Sequence, residues 1–212
     1  LASTREMQQA FTKLGFTTAL MPTIGLKTSE LPFRPHRRSE GPLEILFVGN
    51  IITLKGVDLA MEALKASGTD ARFTLVGTGN YLEAARAQAA RLGLADRVTF
   101  LGRIPREKVL RVYPDYDLFL FPSLHDTGGY AVIEAMFNEL PVICLDCGGP
   151  SVSVRENCGV RVALGPKAKV IADLAAAVRW YDRNRAALVE HGQAARQSIL
   201  RHYDWDRKGE QM

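Results

Sequence analysis

Short apolar runs alternate with helical patterns along most of the chain, and this alternation strongly limits the folds open to it. The apolar runs occupy 43–49, 72–77, 97–102, 117–122, 141–146 and 159–164. Helical patterns occupy 55–67, 80–92, 105–113 and 128–138, and two more follow the last apolar run at 167–182 and 184–202. The apolar runs are continuous rather than alternating with polar residues, which is typical of parallel strands buried on both faces. The pattern therefore predicts an α/β fold with a doubly wound, mainly parallel, six-stranded Rossmann-like sheet.

The first 26 residues do not follow this alternation. "TREMQQAFTKLG" predicts a helix and "FTTALMPTIGL" predicts a strand, and one helix with one strand cannot form a core of its own. We therefore expect residues 1–26 to be the remnant of a domain that is missing from this chain, followed by a proline-rich, basic linker at 27–42. A main domain at 43–195 and a C-terminal helix at 196–212 complete the predicted organisation.

Composition and charge exclude several classes of protein. The chain has 212 residues, 47% hydrophobic and 24% charged, which is typical of a globular protein. No apolar run approaches the roughly 18–20 residues that cross a bilayer. The net charge of +4 is mild and does not indicate a nucleic-acid partner. The basic stretch "FRPHRR" at 33–38 is interpreted as a solvated linker, and peripheral contact with anionic lipids at the inner face of the membrane is the alternative.

The three cysteines indicate a reducing compartment, so we expect a cytoplasmic protein. Cys144 and Cys147 form a lone C-x-x-C at the end of a predicted strand, with Cys158 further along the chain. A zinc site needs a second pair or histidine ligands, and a redox pair is expected at the start of a helix. We predict buried free thiols.

The unusual loops fall where ligands bind in open α/β sheets, at the carboxyl ends of the strands. "GNIITLKG", "GTGN", "SLHDTGG" and "DCGGP" follow the first, second, fourth and fifth predicted strands. Lys55 lies at the start of the helix at 55–67, where a cation is unfavourable unless a phosphate binds there too. The alternative is that Lys55 extends into solvent and Asp58 compensates the helix dipole. The dinucleotide fingerprint G-x-G-x-x-G is incomplete because Leu82 stands at its last position, which argues against a nicotinamide enzyme.

A single carboxylate stands out in "FPSLHDTGGYAVIEAM" at 121–136. Gly128 and Gly129 mark the start of a helix that otherwise carries no charge as far as Phe137, and Glu134 lies inside it. A buried carboxylate without a partner costs several kcal/mol or becomes neutral, so Glu134 requires one. Two partners remain open on spacing alone: the hydroxyls of a sugar, or a structural ion pair with an arginine such as Arg103 or Arg155.

Taken together, these motifs resemble the C-terminal half of the retaining glycosyltransferases of family 4, which have the GT-B fold. "PSLHDTGGYAVIEAMFNELPV" at 122–142 is similar to the family's E-x7-E region, with Asp126 at the first acidic position and Glu134 at the second. "NIITLK" resembles its Arg-x4-Lys segment, with Lys55 retained and Asn50 in place of the arginine. "LVGTGN", "VTFLGRI" and the terminal "YDWDRKGEQM" also resemble family segments, so the similarity covers residues 43–212.

The resemblance implies a role for each position. Glu134 would hold the ribose hydroxyls of the donor, Asp126 would address hydroxyls of the transferred sugar, and Lys55 would neutralise the departing diphosphate. These three are the candidate catalytic residues. The candidate donor-binding residues are Gly49, Asn50, Lys55, Gly77, Arg103, Ile104, Asp126, Thr127, Gly128, Gly129, Tyr130 and Glu134. Neither a metal nor a cofactor is implied, because the lysine and the helix dipole take the place of a metal.

The resemblance also implies the reaction and the partners. We expect transfer of a sugar, with retention, from a UDP- or GDP-sugar to a saccharide or lipid-linked saccharide. The acceptor would bind the missing N-terminal domain, so we expect this donor-binding half to be inactive alone. Departures from the family pattern leave the donor base open: Asp126 is one methylene shorter than the family's glutamate, Asn50 lacks a charge and Gly128 replaces an aromatic residue. A GT-B-fold nucleotide-sugar epimerase and a non-enzymatic nucleotide-binding module are the alternatives.

Overall fold

The computed structural model describes residues 1–35 and 40–210. The strands are β1 (Glu44–Val48), β2 (Arg72–Val76), β3 (Val98–Gly102), β4 (Leu118–Phe121), β5 (Val142–Leu145) and β6 (Gly159–Val162). The α-helices in the described residues are α1 (Arg5–Lys13), α2 (Val57–Ser67), α3 (Leu82–Arg91), α4 (Arg106–Val112), α5 (Tyr130–Phe137), α6 (Gly148–Ser153), α7 (Lys167–Arg183), α8 (Arg185–His202) and α9 (Trp205–Glu210). Short 3-10 helices occupy Thr28–Glu30, Thr53–Lys55 and Tyr113–Asp115.

All six strands form one parallel sheet in the order β3-β2-β1-β4-β5-β6. The predicted fold class is confirmed, and each of the six strands predicted between residues 43 and 164 is present close to its expected position. β4 and β5 are buried along their whole length, as continuous apolar runs require in a sheet covered on both faces. The chain reverses direction across the sheet between β1 and β4, which makes their carboxyl ends the switch point of the fold.

The helices cover both faces of the sheet. α2 packs against α7, and α5 packs against α8. Right-handed crossovers place the helix between β1 and β2 on one face and the helix between β4 and β5 on the other. α2 and α5 therefore leave the switch point on opposite sides, and the two loops that precede them face the same crevice.

The N-terminal segment is only partly as predicted. The helix expected in "TREMQQAFTKLG" is present as α1, where the Thr4 hydroxyl accepts the Met7 amide at 3.2 Å. The strand expected in "FTTALMPTIGL" is wrong: that segment makes only the isolated bridges Ala2–Leu20 and Leu26–Asp204. The apolar residues in it bury against the rest of the molecule without joining the sheet, as Leu26 does at 3% exposure.

The N-terminal segment packs against the C-terminal end of the chain. Leu26 donates its amide to the Tyr203 carbonyl at 2.7 Å and accepts from the Trp205 amide at 2.9 Å. The Lys208 ammonium, buried under this segment, donates to the carbonyls of Pro22 at 2.6 Å and Ile24 at 2.8 Å. The two ends of the described chain thus form one packed unit.

The C-terminal helices follow the helical pattern predicted at 184–202. α8 ends at His202, so the predicted start of the C-terminal segment at 196 falls inside this helix. α9 then follows as a separate short helix. The roles assigned to residues 1–26, 27–42 and 196–212 stay predictions.

The linker is not simply solvated where the structure describes it. Phe33 packs against Arg196 of α8, whose guanidinium carbon lies 3.3 Å from the Phe33 ring centre and 4.3 Å from that of Phe137. Arg34 forms an ion pair with Asp115. The rest of the basic stretch, at 36–38, lies outside the described residues.

Helix α6 was not predicted, because "GGPSVS" has the composition of a turn. Its glycines approach the loop before α5 closely: a Cβ on Gly148 would lie 2.4 Å from the Asp126 carbonyl oxygen, and one on Gly149 would lie 2.5 Å from that of Thr127. The Gly149 amide donates to the Asp126 carbonyl at 2.8 Å. α6 therefore supports the loop that leads into α5.

Candidate functional site

Five of the predicted donor-binding residues line one cavity at the carboxyl ends of β1 and β2. Gly49, Asn50, Gly77, Arg103 and Ile104 surround about 250 Å³, together with Val48, Val76, Thr78 and Val109. The backbones approach closely here, since a Cβ on Gly77 would lie 1.9 Å from the Gly49 carbonyl oxygen. Gly77 also has a φ of +140°, which side chains rarely adopt. The two glycines therefore fix the floor of this cavity.

Lys55 and Asp126 meet across the switch point. Lys55 ends the 3-10 helix after β1, and its Nζ lies 2.6 Å from Asp126 Oδ2 in the loop after β4. The two side chains are only 16% and 19% exposed, so the pair is largely shielded from water. Lys55 Nζ also lies 5.4 Å from the Phe121 ring centre. The alternative in which Lys55 extends into solvent is thus wrong.

Asp126 also caps the helix that carries Glu134. Its Oδ1 accepts the Gly128 amide at 3.1 Å and the Gly129 amide at 2.6 Å. Gly129 has a φ of +73°, which turns the chain into α5. The Asp126 carboxylate is therefore held between an ammonium and the positive end of a helix, the surroundings that also favour a phosphate.

Thr127 and Tyr130 flank these glycines, and both are exposed. Tyr130 is the first residue of α5 and is 51% exposed. The loop places both side chains beside the Asp126 cap. Their assignment to donor binding stays a prediction.

Glu134 lies inside α5 and is 7% exposed. Its Oε1 accepts from Arg106 Nη2 at 2.7 Å, and its Oε2 accepts from the buried Tyr113 hydroxyl at 3.1 Å. The expectation of a partner is confirmed, but the two suggested arginines were wrong. The partner is Arg106, the first residue of α4, the helix that follows the edge strand β3.

Burial controls the electrostatics of this group. Burial raises the pKa of Glu134 above its ordinary value, while Arg106 and the Tyr113 hydroxyl act in the opposite direction. Burial and the neighbouring Glu134 carboxylate raise the pKa of Tyr113 well above its usual range, so Tyr113 is a hydrogen-bond donor and not a base.

One aromatic residue and one helix connect the parts of the site. The Phe121 ring lies under the Lys55 ammonium and stacks on Phe47, 5.6 Å between ring centres. α4 carries Val109 into the cavity and Arg106 onto Glu134. Sequence reasoning missed Arg106, Tyr113 and Phe121. Pro105 before an amphiphilic run was the available signal for Arg106, since proline often precedes the first turn of a helix.

This geometry can be compared with known proteins. The sequence matches the profile of the family described as "Glycosyl transferases group 1" over residues 29–198, which is more than half of the chain. The chain belongs to this family. The predicted recognition is thereby confirmed at the level of the family.

Curated group 1 relatives share between a quarter and two fifths of the aligned residues. The glycogen synthase of Mycobacterium tuberculosis (strain ATCC 25618 / H37Rv) is 28% identical over 184 residues, which cover 85% of this chain and 44% of that protein. The D-inositol 3-phosphate glycosyltransferase of Nocardia farcinica (strain IFM 10152) is 36% identical over 122 residues, covering 53% of this chain and 27% of that protein. The chain thus spans less than half the length of either relative.

Solved structures of glycosyltransferases share the fold. Anabaena Alr3699/HepE, solved in complex with UDP, superposes with a TM-score of 0.80 at 20% identity, covering 99% of this chain and 61% of that one. This structural similarity confirms the predicted fold of the present chain.

The three cysteines form no disulfide bond. Cys144, Cys147 and Cys158 are free; Cys144 and Cys158 are buried and Cys147 is half-buried. The prediction of free thiols is confirmed, although Cys147 does precede a helix, the short α6. Burial raises the pKa of all three thiols, so they are poor nucleophiles.

Within residues 1–35 and 40–210, no three His, Cys, Asp or Glu side chains are grouped so that they could hold a metal ion. No helix in the same described part of the chain is long and apolar enough to cross a membrane.

Proposed function

We propose that this chain is the donor-binding half of a retaining glycosyltransferase that uses a UDP- or GDP-sugar. The observation that carries the proposal is the Lys55–Asp126 pair at the N-terminus of α5, the helix that also carries the buried Glu134. Doubly wound sheets bind nucleotides at this place. Membership of the group 1 family and the UDP complex of Alr3699/HepE support the choice of ligand.

In the proposed complex, the cavity beside Gly49 and Gly77 receives the base, and Glu134 accepts hydrogen bonds from the ribose hydroxyls. Lys55 and the amides of Gly128, Gly129 and Tyr130 face the diphosphate. As the bond between the sugar and the diphosphate breaks, negative charge grows on the phosphate oxygens. The Lys55 ammonium and the helix N-terminus stabilise that charge without a metal.

The acceptor, a saccharide or lipid-linked saccharide, would bind a second half of the protein. The relatives contain such additional length, because this chain covers 44% of the glycogen synthase. We therefore propose that residues 1–212 bind the donor but do not transfer its sugar alone. Sugar transfer from UDP- or GDP-sugars by purified 1–212 would contradict this part of the proposal.

Calorimetric titration with UDP, GDP and one sugar conjugate of each tests the donor site. We expect one base to bind selectively, its sugar conjugate to bind more tightly, and both to bind equally well in EDTA. Absence of binding by all four ligands would contradict the proposal, and binding lost in EDTA would contradict its metal-free part.

Glu134→Gln is the sharpest variant for this titration. Loss of a charged acceptor for ribose hydroxyls should weaken binding of the preferred nucleotide about tenfold or more. Glu156→Gln, an exposed glutamate after α6, is the matched control and should bind like the parent chain.

Glu134→Gln should not lose stability at neutral pH. Because burial raises the folded-state pKa of Glu134, the folded chain holds this proton more tightly than the unfolded chain. As the pH rises from the unfolded-state pKa of Glu134 through its folded-state pKa, ionisation therefore lowers the free energy of unfolding. The glutamine variant does not ionise and avoids this loss. If Glu134→Gln instead unfolds, Glu134 is mainly a structural ion-pair partner.

A further inference from the structure

Arg106 makes a contact to the site that no motif predicted. It is the first residue of α4, and its guanidinium lies 2.7 Å from Glu134 Oε1. Its side chain is 64% exposed, whereas that of Glu134 is 9% exposed. The pair therefore joins a solvent-facing cation to a shielded carboxylate at the edge of the crevice.

We propose that Arg106 is a positioning residue that holds the Glu134 carboxylate ionised and oriented toward the ribose, and thereby sets the preference of the site for ribose over deoxyribose. The inference rests on the proposed function, in which Glu134 binds the ribose. It adds a residue and a specificity to that function.

Geometry supports the orienting role. Arg106 binds one oxygen of Glu134 and Tyr113 binds the other, so rotation of the carboxylate is blocked on both sides. An ionised carboxylate has about four acceptor positions, so two remain available for ligand hydroxyls. In the proposed complex, the ribose hydroxyls occupy these two positions and displace neither protein donor.

The charges around Glu134 support the role of Arg106 in keeping it ionised. Among the elements packed against α5, β4 (LFLF), β5 (VICL) and α6 (GGPSVS) carry no Asp, Glu, Lys, Arg or His. On α8, Arg196 reaches the Phe137 carbonyl at 2.6 Å, at the far end of α5 from the Asp126 cap. Within the part of the chain that the structure describes, the cation that faces Glu134 is Arg106, and Tyr113 is the titratable group beside it. Without the guanidinium, burial alone would favour a neutral Glu134.

Helix α4 links this pair to the rest of the proposed donor site. Val109, one turn after Arg106, lines the cavity assigned to the base. A base in that cavity therefore contacts the same helix whose first residue fixes Glu134. Base and ribose recognition share one rigid element.

The test compares ribonucleotides with their 2′-deoxy forms. UDP, GDP, 2′-deoxy-UDP and 2′-deoxy-GDP are titrated into the parent chain, Arg106→Gln, Arg106→Lys and Arg111→Gln. Arg111 lies in the last turn of the same helix and is the matched control. We expect the parent and Arg111→Gln to prefer the ribose form roughly tenfold or more, since a hydrogen bond to a charged group is lost in the deoxy form.

Arg106→Gln should lose most of that preference, and Arg106→Lys should retain part of it. Binding should also weaken on acidification at a higher pH in Arg106→Gln than in the parent chain, which a merely structural arginine would not cause. An unchanged preference, or tighter binding by Arg106→Gln, would overturn the inference.

An NMR titration of the Glu134 carboxyl carbon separates this inference from the proposed function. If the parent chain binds neither UDP nor GDP, the donor-site proposal fails, and the titration still decides the role of Arg106. If the Glu134 carboxyl titrates with a midpoint at higher pH in Arg106→Gln than in Arg111→Gln, Arg106 keeps Glu134 ionised as proposed. Equal midpoints refute that role.

Discussion

At the scale of single residues, the two carboxylates of the site have opposite surroundings. Asp126 is bound by the Lys55 ammonium and by the backbone amides of Gly128 and Gly129. Glu134 is buried in an apolar helix and is bound by the exposed Arg106 and the buried Tyr113 hydroxyl. The sequence shows both carboxylates but does not show their partners. Lys55 and Arg106 lie in distant segments of the chain, which come close to the carboxylates only in the folded protein.

Asp126→Asn should separate the contributions of the diphosphate and the sugar. Without the carboxylate, Lys55 has no internal anion, so free UDP or GDP should bind roughly three- to tenfold more tightly, about 1 kcal/mol. The additional affinity that the sugar gives to its conjugate should shrink. Calorimetry with both ligand forms measures each effect.

Asp173→Asn is the control for this variant, because the Lys169–Asp173 pair on α7 has the same 2.6 Å separation and lies outside the site. Weaker binding of free diphosphate by Asp126→Asn would show that Asp126 supports the loop more than it competes for Lys55.

At the scale of elements, the strands were predicted well and the irregular segments were not. β4 and β5 are continuous apolar runs that are buried along their whole length, as parallel strands covered on both faces require. "FTTALMPTIGL" has the same apolar character, but it reaches the core through loops, because its neighbours are Tyr203 and Trp205 rather than a strand. Helix α6 was not predicted because Gly-Gly-Pro is typical of a turn. The helix packs against the loop after β4, a contact that the sequence does not show.

Gly77→Ala should test the tight turn that forms the cavity floor. The new methyl group would lie 1.9 Å from the Gly49 carbonyl oxygen, at a φ of +140°, so the backbone must move. We expect a loss of about 2 kcal/mol or more in the free energy of unfolding, measured in urea, with weaker nucleotide binding.

Gly165→Ala is the matched control, since nothing lies within 4 Å of its Cβ position. Equal unfolding free energies for the two variants would mean that the turn adapts and that the cavity does not depend on it.

At the scale of the whole molecule, the chain ends stabilise one another beside the crevice. Ile24 belongs to the core and contacts Gly128 in the loop before α5, where a Cβ would lie 2.7 Å from it. Glu6 of α1 accepts the Gly148 amide at 3.0 Å. The N-terminal segment therefore contacts the loop before α5 and the start of α6.

Gly25→Ala should loosen this unit without touching the site residues. Its methyl group would lie 2.8 Å from the Tyr203 carbonyl oxygen and 2.9 Å from the Trp205 ring. We expect faster hydrogen exchange at 24–26 and 203–208, because the backbone bonds between these segments must lengthen. Gly209→Ala, which meets nothing within 4 Å, should leave both segments protected; unchanged exchange in Gly25→Ala would contradict the proposed coupling.

The internal pair of Lys55 and Asp126 has a consequence for selectivity. Because the ammonium already has a carboxylate at 2.6 Å, a ligand phosphate does not fill an empty position but replaces a partner. A singly charged anion would replace the Asp126 carboxylate with little net gain in binding free energy. A diphosphate brings additional negative charge to the same ammonium and helix N-terminus. In the proposed donor complex, the crevice would therefore select its ligands by the number of negative charges they carry.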